Sequence, residues 1–327
     1  MSASAVAQIA QAMDAQTTAF RADVLAGLAQ AQKTLPSRWL YDDAGSDLFE
    51  KITSLQEYYP TRTETAILTG QAESLANFCG PEAVIVEYGA GAIIKAGILI
   101  SALQQPRLYV PVDIAGEFLA KSSALLRTRF DTLEILPVAA DFTRSFSLPE
   151  EVPGAFQRVG VFLGSTIGNL DQEQAVTFLA MVRRHTEGGE SGHAARALIG
   201  IDLVKSTDVL IPAYDDASGV TAAFNLNLLA RINRELDGTF NLSTFRHEAR
   251  WNGEEPAIEM HLVSGLNQSV AVDDVVFEFA KGETIHTESS RKYTLERFAA
   301  LASRAGWRVA DSWTDRDRQF AVVGLVD

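Results

Sequence analysis

Ala83-Val84-Ile85-Val86-Glu87-Tyr88-Gly89-Ala90-Gly91 is the stretch whose reading decides the fold. A short apolar run ends in Gly-x-Gly, and residues 93–103 follow with helix-like character. That is a buried strand turning straight into a helix, the opening unit of a parallel α/β sheet. Glycines at such a turn let the backbone bend tightly and approach a ligand at the positive end of the next helix. The third glycine of the dinucleotide fingerprint would fall at Ile94, so the full Gly-x-Gly-x-x-Gly is absent.

Working outward, apolar runs recur at Leu108–Asp113, 133–138, 159–163 and 197–201, with helical patterns over 117–129 and 172–185 between them. Helix over 295–305, closed by Gly306, precedes two strand-like runs, 307–313 and Phe320–Val326, around a polar turn. A parallel sheet finished by an antiparallel hairpin is typical of class I methyltransferases. Upstream, 5–32 and 61–78 read as helical. The turn-rich stretch between them holds Trp39, Tyr41, Tyr58 and Tyr59. The loop 186–196, with Gly188, Gly189 and Gly192, reads as a connection. Residues 206–291 differ: one helix over 220–236, then alternation over 257–263, 270–279 and 283–288. The expected fold class is α/β: a Rossmann-like sheet with a terminal antiparallel hairpin, plus a second, α+β domain.

The chain has 327 residues, 47% hydrophobic and 21% charged, which is ordinary globular composition. With 28 Lys and Arg against 42 Asp and Glu, its net charge of −14 argues against duplex nucleic acid and anionic membranes as partners. The longest nearly apolar run, 96–103, is too short to span a bilayer. The opening residues contain no basic segment followed by an apolar one, so no secretory leader is expected. One cysteine, Cys79, rules out an internal disulfide, and a cytoplasmic monomer is the expectation.

Candidate ligand contacts stand where strands end. Glu87 suits a cationic ligand better than a pyrophosphate. S-adenosylmethionine, with an ammonium, a sulfonium and no phosphate, fits that preference. Asp113, 24 residues after Gly89, is placed to accept from ribose hydroxyls. Asp141 can accept from the adenine amine, and Phe142 can pack on the purine. Singly, each acid could be a helix cap or a turn residue. The five histidines have no paired ligand spacing and one cysteine builds no zinc site, so no metal is expected. Gly164-Ser165-Thr166-Ile167-Gly168 has the wrong order for a nucleophile elbow.

Several segments together resemble the histidine-specific methyltransferase family of ergothioneine biosynthesis. They are Trp39-Leu40-Tyr41-Asp42 with Gly45-Ser46-Asp47-Leu48-Phe49; Glu57-Tyr58-Tyr59-Pro60-Thr61-Arg62-Thr63-Glu64; Phe162-Leu163-Gly164-Ser165-Thr166-Ile167-Gly168-Asn169; Asp202-Leu203-Val204-Lys205; Ala213-Tyr214-Asp215-Asp216 with 219–225; and Ile285-His286-Thr287-Glu288-Ser289-Ser290. The resemblance implies a methyltransferase domain over 63–199 and 292–327, and a substrate-binding domain over 1–62 and 200–291. It implies trimethylation of the α-amine of L-histidine, through mono- and dimethyl forms, to hercynine, with S-adenosylmethionine converted to S-adenosylhomocysteine. By the same resemblance, Tyr58, Gly164, Asn169 and Tyr214 hold the backbone end of the amino acid. Glu288 and Ser290 hold the imidazole beside Met260, and Tyr41 lies near the reacting amine, with Tyr41 and Tyr58 as the catalytic pair. Gly89, Gly91, Lys95, Asp113, Asp141 and Phe142, with Glu87, serve the cofactor.

One stretch departs from the family. Ala92-Ile93-Ile94-Lys95-Ala96-Gly97 carries apolar residues where the family more often has small or hydroxyl-bearing ones. It motivates one alternative, a catalytically impaired histidine-binding homologue. The other is an N-methyltransferase for a tryptophan-type amino acid, against which Glu288 speaks.

Overall fold

The computed structural model describes residues 17–91, 93–114, 116–188 and 192–327, with backbone only at 93, 94, 117 and 118. The first part of the N-terminal helical segment, the side chains of Ile93 and Ile94, and Gly189 therefore lie outside the described residues.

In chain order the elements are helical residues 17–28 (α1), β1 (Lys33–Thr34), α2 (Asp43–Thr53), α3 (Tyr59–Gly70), α4 (Ala72–Cys79), β2 (Val84–Tyr88), α5 (Ile93–Ala102), β3 (Leu108–Asp113) and α6 (Gly116–Arg129). Then come β4 (Glu134–Ile135), β5 (Val138–Ala139), β6 (Arg158–Phe162), α7 (Gln172–Thr186), β7 (Arg196–Asp202), α8 (Thr207–Tyr214) and α9 (Val220–Glu235). The chain closes with β8 (Phe245–Asn252), β9 (Ala257–Ser264), β10 (Gln268–Val272), β11 (Val275–Phe279), β12 (Thr284–Arg291), α10 (Leu295–Arg304), β13 (Arg308–Thr314) and β14 (Phe320–Val326).

Two compact units divide the chain: residues 1–58 with 206–289, and 59–205 with 290–327. The second unit, here the sheet unit, is built on an eight-stranded sheet in the order β13-β14-β7-β6-β2-β3-β4, with β5 also on β3. β2, β3, β6 and β7 run parallel, while β14 is antiparallel to both β7 and β13. From β2 the chain moves outward to β3 and β4, then returns to the other side of β2 with β6. Such a reversal opens a crevice at the carboxyl ends of β2 and β6, where open α/β sheets bind ligands. Side-chain alternation builds two cores. Val84, Val86 and Tyr88 face α7 and α10, whereas Ile85 faces α3, α4 and α5. α7 starts at a reciprocal cap, in which Gln174 N–H donates to Asp171 and Asp171 N–H donates to the Gln174 side chain.

The other unit carries the four-stranded sheet β1-β12-β9-β8 and the separate hairpin β10-β11. β8 and β9 are antiparallel over eight residue pairs, from Phe245↔Ser264 to Asn252↔Ala257. α9 packs on α2, β8 and β9.

Three local expectations change. The segment 61–78 is two helices, α3 and α4, because Gly70 and Gln71 interrupt it. The third apolar run is two short strands rather than one, since Pro137 has no N–H for the ladder. The run 270–279 is a hairpin turning at Asp273-Asp274, where Asp273 takes a left-handed φ of 49°. Among the described residues, no helix is long and apolar enough to cross a membrane.

Candidate active site

In the sheet unit the turn after β2 is tied to β3 by Gly89 N–H and Ala90 N–H, both donating to Val112 O. Gly89 has φ +66°, and a Cβ there would sit 3.5 Å from the Phe142 ring and 3.6 Å from Phe162. Gly91 closes the turn by donating to Gly89 O at 2.7 Å. The backbone of the Gly-x-Gly turn thus lies against the Phe142 ring, which itself packs on Phe162 and Phe178. Asp113 ends β3, half-buried. Asp141 Oδ1 accepts from Thr143 N at 2.9 Å and from Thr143 Oγ1, so it also closes its own strand-end turn.

Glu87 stands on the Ile85 side of β2, 4% exposed, and accepts from Tyr109 Oη at 2.5 Å. Burial raises its pKa to about 7, against the Tyr109 hydrogen bond and the nearby Lys95 charge, which lower it. Lys95 donates to Glu64 at 2.8 Å, and both Glu64 oxygens accept from Gly164 N–H, at 2.8 and 2.9 Å. Glu64 is fully buried, and Gly200 makes room for it: a Cβ at 200 would lie 2.1 Å from Glu64 Oε1. Gly164 N–H is therefore committed within the unit, which leaves its carbonyl as the group it can offer a ligand. After Gly164 (φ +79°) comes Ser165 (φ +56°), two left-handed residues in succession at the end of β6. Asp202 N–H donating to Ser165 Oγ at 2.9 Å helps hold this costly turn. The 3-10 turn Thr166–Asn169 follows, and Gly168 backs onto the Arg291 backbone, so Asn169 and the Ser290 end of β12 are neighbours.

Asp202, fully buried at the end of β7, is the centre of an unforeseen network. It accepts from Tyr59 Oη at 2.7 and 2.9 Å, from Lys205 at 2.6 Å and from Lys292 at 2.8 Å. Burial raises its pKa, but Lys292 and Lys205 outweigh that and hold the carboxyl below its ordinary range. Burial lowers Lys205 to about 8. Lys292, also buried, donates to Ser290 Oγ at 2.8 Å.

The other unit gathers Tyr41, Phe49, Tyr58, Tyr214 and Phe224 into one aromatic cluster, with ring centroids 5.4–6.2 Å apart. Tyr41 hydrogen-bonds to Glu288, which is 7% exposed. Burial, then the charge of Glu288, pushes the Tyr41 pKa well above the usual phenol range, so it stays a neutral donor. Met260 is buried on β9, and its carbonyl accepts from Thr287 Oγ1 on β12 at 3.0 Å.

Sequence reasoning passed over the role of His247 here. His247 Nε2–H donates to Tyr214 O at 2.8 Å while its Nδ1 accepts from Asn225 Nδ2 at 2.9 Å, so a buried neutral ring fixes the Tyr214 backbone. Burial lowers its pKa in keeping with that state. Asp216 caps α9, accepting from Val220 N–H and Thr221 N–H, which places it as a structural residue.

A family model described as histidine-specific, SAM-dependent methyltransferase matches residues 20–326. The chain belongs to that family. Two similar proteins are histidine N-alpha-methyltransferases: that of Mycolicibacterium smegmatis is 40% identical over 316 residues, covering 95% of this chain and 96% of that one. The Mycobacterium tuberculosis protein is 39% identical over 314 residues, with 94% and 95% covered. Ergothioneine biosynthesis protein 1 of Neurospora crassa is 29% identical over 294 residues, 86% of this chain and 32% of that longer protein. For a histidine-specific, SAM-dependent methyltransferase the sheet order is apt, because the chain reverses direction between β3 and β6 on either side of β2, the place where open α/β sheets bind ligands. The fit of the methyl donor rests on two cradles that a side chain would fill, at Gly89 against Phe142 and at Gly164, where a Cβ would lie 3.1 Å from Lys95 Nζ.

Proposed function

We propose that this chain methylates the α-amine of L-histidine three times, to hercynine, as a step toward ergothioneine. The observation that carries the reading is Glu288: a buried carboxylate hydrogen-bonded by Tyr41 in a unit whose neighbouring rings are aromatic. A buried acceptor in that setting suits a ring bearing an N–H and would be left poorly paired by an apolar side chain. An indole would meet that acceptor with its one N–H but has no second ring nitrogen for Ser290, whereas imidazole has one. The similar mycobacterial and fungal proteins support the same substrate and pathway.

In this reading residues 59–205 with 290–327 hold S-adenosylmethionine, and residues 1–58 with 206–289 supply most of the amino-acid contacts. Gly89 and Gly91 would offer close backbone approach, Lys95 a cation for the methionine carboxylate, Asp113 and Asp141 acceptors for ribose and adenine, and Phe142 a face for the purine. Bound there, the sulfonium supplies a methyl group that needs no Lewis acid to be transferred, so no metal has a role in the proposal. The protein's work is alignment of the amine. Asn169 and the Gly164 carbonyl would orient the amine, with Tyr58 and Tyr214 on the carboxylate. Each transfer needs the amine neutral, so one proton leaves per round. Tyr41, a phenol with a raised pKa, does not take that proton, and water beside Tyr58 would carry it away. Asn169 rather than a carboxylate leaves successive methylated amines free to turn. A monomer in a reducing compartment, acting on small molecules alone, completes the proposal.

The test is incubation of the protein with S-adenosylmethionine and L-histidine, followed by mass measurement. Product heavier than histidine by one, two and three CH₂ units is expected, and Glu288→Ala should raise the KM for histidine roughly 10- to 100-fold. Unchanged histidine after prolonged incubation with the folded protein would overturn the reading.

A further inference from the structure

We infer that His185 is a positioning residue for the purine end of the cofactor: it ties the segment carrying Asp141 and Phe142 to the end of β2, and so sets how strictly adenine is told from other purines. The inference rests on the reading above, in which Asp141 accepts from the adenine amine and Phe142 packs on the purine.

After β5 the chain runs without helix or strand from Ala140 to Gln157. Ala140 N–H donates to Asp113 O at one end, and Arg158 donates to Val152 O and Pro153 O near the other. Between those ties, His185 Nε2 lies 2.9 Å from Phe146 O, and its Nδ1 lies 2.9 Å from Tyr88 Oη. A carbonyl has no proton, so Nε2 carries the hydrogen of the first bond. Burial lowers the pKa of the ring against the Phe146 hydrogen bond, and Arg184 and Arg158 lower it further. The ring is therefore neutral at pH 7, and its Nδ1 lone pair takes the Tyr88 O–H, a phenol that burial pushes up and keeps protonated. Both bond directions are fixed. Tyr88, one residue before Gly89, is thus linked through one imidazole to the backbone four residues after Phe142.

α7 grips the same segment at a second point. Phe178 and His185 are seven residues apart, hence on one face of the helix and about 10 Å apart along it. Phe178 meets the Phe142 ring at 6.0 Å between centroids and Tyr88 at 5.4 Å, while His185 meets the Phe146 ring at 4.9 Å. Apolar contact has no direction and lets rings slide. The bond to Phe146 O has one, and it sets the register of the segment on the helix. From Phe146 that register reaches Asp141 through a short stretch that is itself tied, with Arg144 N–H donating to Asp141 O at 3.0 Å and Thr143 N–H to Asp141 Oδ1 at 2.9 Å.

The experiment is calorimetric titration of two ligands, S-adenosylhomocysteine and its inosine analogue, in which a carbonyl replaces the adenine amine. Each is titrated into wild type, His185→Phe, His185→Gln and Asp141→Ala. Wild type should bind the adenine ligand about tenfold more tightly or better, since a carbonyl oxygen facing Asp141 leaves two acceptors unpaired. His185→Phe keeps the ring contacts and loses both hydrogen bonds, and the ratio should fall to about threefold or less. His185→Gln offers one donor and one acceptor, and its ratio should lie nearer that of wild type. A role in folding alone would weaken both ligands alike and leave the ratio unmoved. A folded His185→Phe with the wild-type ratio, or a His185→Gln ratio no better than that of His185→Phe, would overturn the inference. Should His185→Phe fail to fold, Tyr88→Phe carries the test: it breaks one of the two bonds, its ratio should fall about twofold, and an unmoved ratio overturns the inference. Asp141→Ala checks the parent reading, and its ratio should fall to near one. Wild type that does not discriminate, or an Asp141→Ala that keeps the wild-type ratio, would mark failure of that reading and take the inference with it, whereas failure at His185 alone leaves that reading standing.

Discussion

Glu87 and Asp202 are both buried carboxylates on strands of one sheet, yet their pKa values move in opposite directions. Glu87, near the end of β2, is pushed up to about 7 by burial, with the Tyr109 hydroxyl as its near partner. Asp202, at the end of β7, is equally buried and is held low by Lys292 and Lys205. Burial sets the cost of a charge, and the cations within reach decide whether the charge stays. One strand end therefore holds an acid that exchanges its proton near neutrality, and the other a fixed anion that organises its surroundings.

The comparison breaks most visibly at Asp202. Asp202→Asn leaves two buried ammonium groups without a countercharge and should cost about 3–5 kcal/mol in denaturant unfolding. A loss under 1 kcal/mol (about the value of an exposed pair) would mean that the network is solvated after all. Glu87→Gln should act through pH. The folded pKa lies above the ordinary 4.5, so the glutamate's contribution is fully present below pH 4.5 and lost as pH rises through about 7. Wild type should lose about 3 kcal/mol relative to Glu87→Gln over that window. A pH-independent difference would show that the carboxyl is ionised throughout. The smallest effect belongs to Lys205→Met. Asp202 keeps Lys292, so stability near pH 7 should change by no more than about 1 kcal/mol. Because Lys205 is depressed to about 8 from 10.5, its contribution is present above pH 10.5 and lost as pH falls through about 8, and the methionine variant should lack that alkaline rise.

The sheet was legible where its signals are local. The run into Gly89-Ala90-Gly91, the apolar run Leu108–Asp113 and the closing hairpin each lie within one stretch of chain, and each is present where expected. The breaks at Gly70 and Asp273 escaped because a single interruption inside an apolar pattern barely disturbs its period. The charged networks escaped for a different reason. Tyr59 meets Asp202 across 143 positions and Glu64 meets Gly164 across 100, and no local pattern records either pairing. Asp202 and Lys205 were visible only as letters of a family motif, and Lys292 not at all. Asp141 shows that competing readings of one residue need not exclude each other, since an oxygen that closes a turn leaves the carboxylate a second one.

β7 and β12 meet just beyond Asp202: Leu203 pairs with Tyr293 in a parallel bridge, Tyr293 N–H donates to Asp202 O and Val204 N–H to Tyr293 O. The chain between them thus leaves the sheet unit and returns to it through one doorway held by two backbone hydrogen bonds. In topological terms that stretch is a loop with pinned ends, and the entropy of closing a loop grows only with the logarithm of its length. Its length and content can drift over generations while the doorway and the strands behind it keep their register, so this is a fold whose two halves can evolve at different speeds.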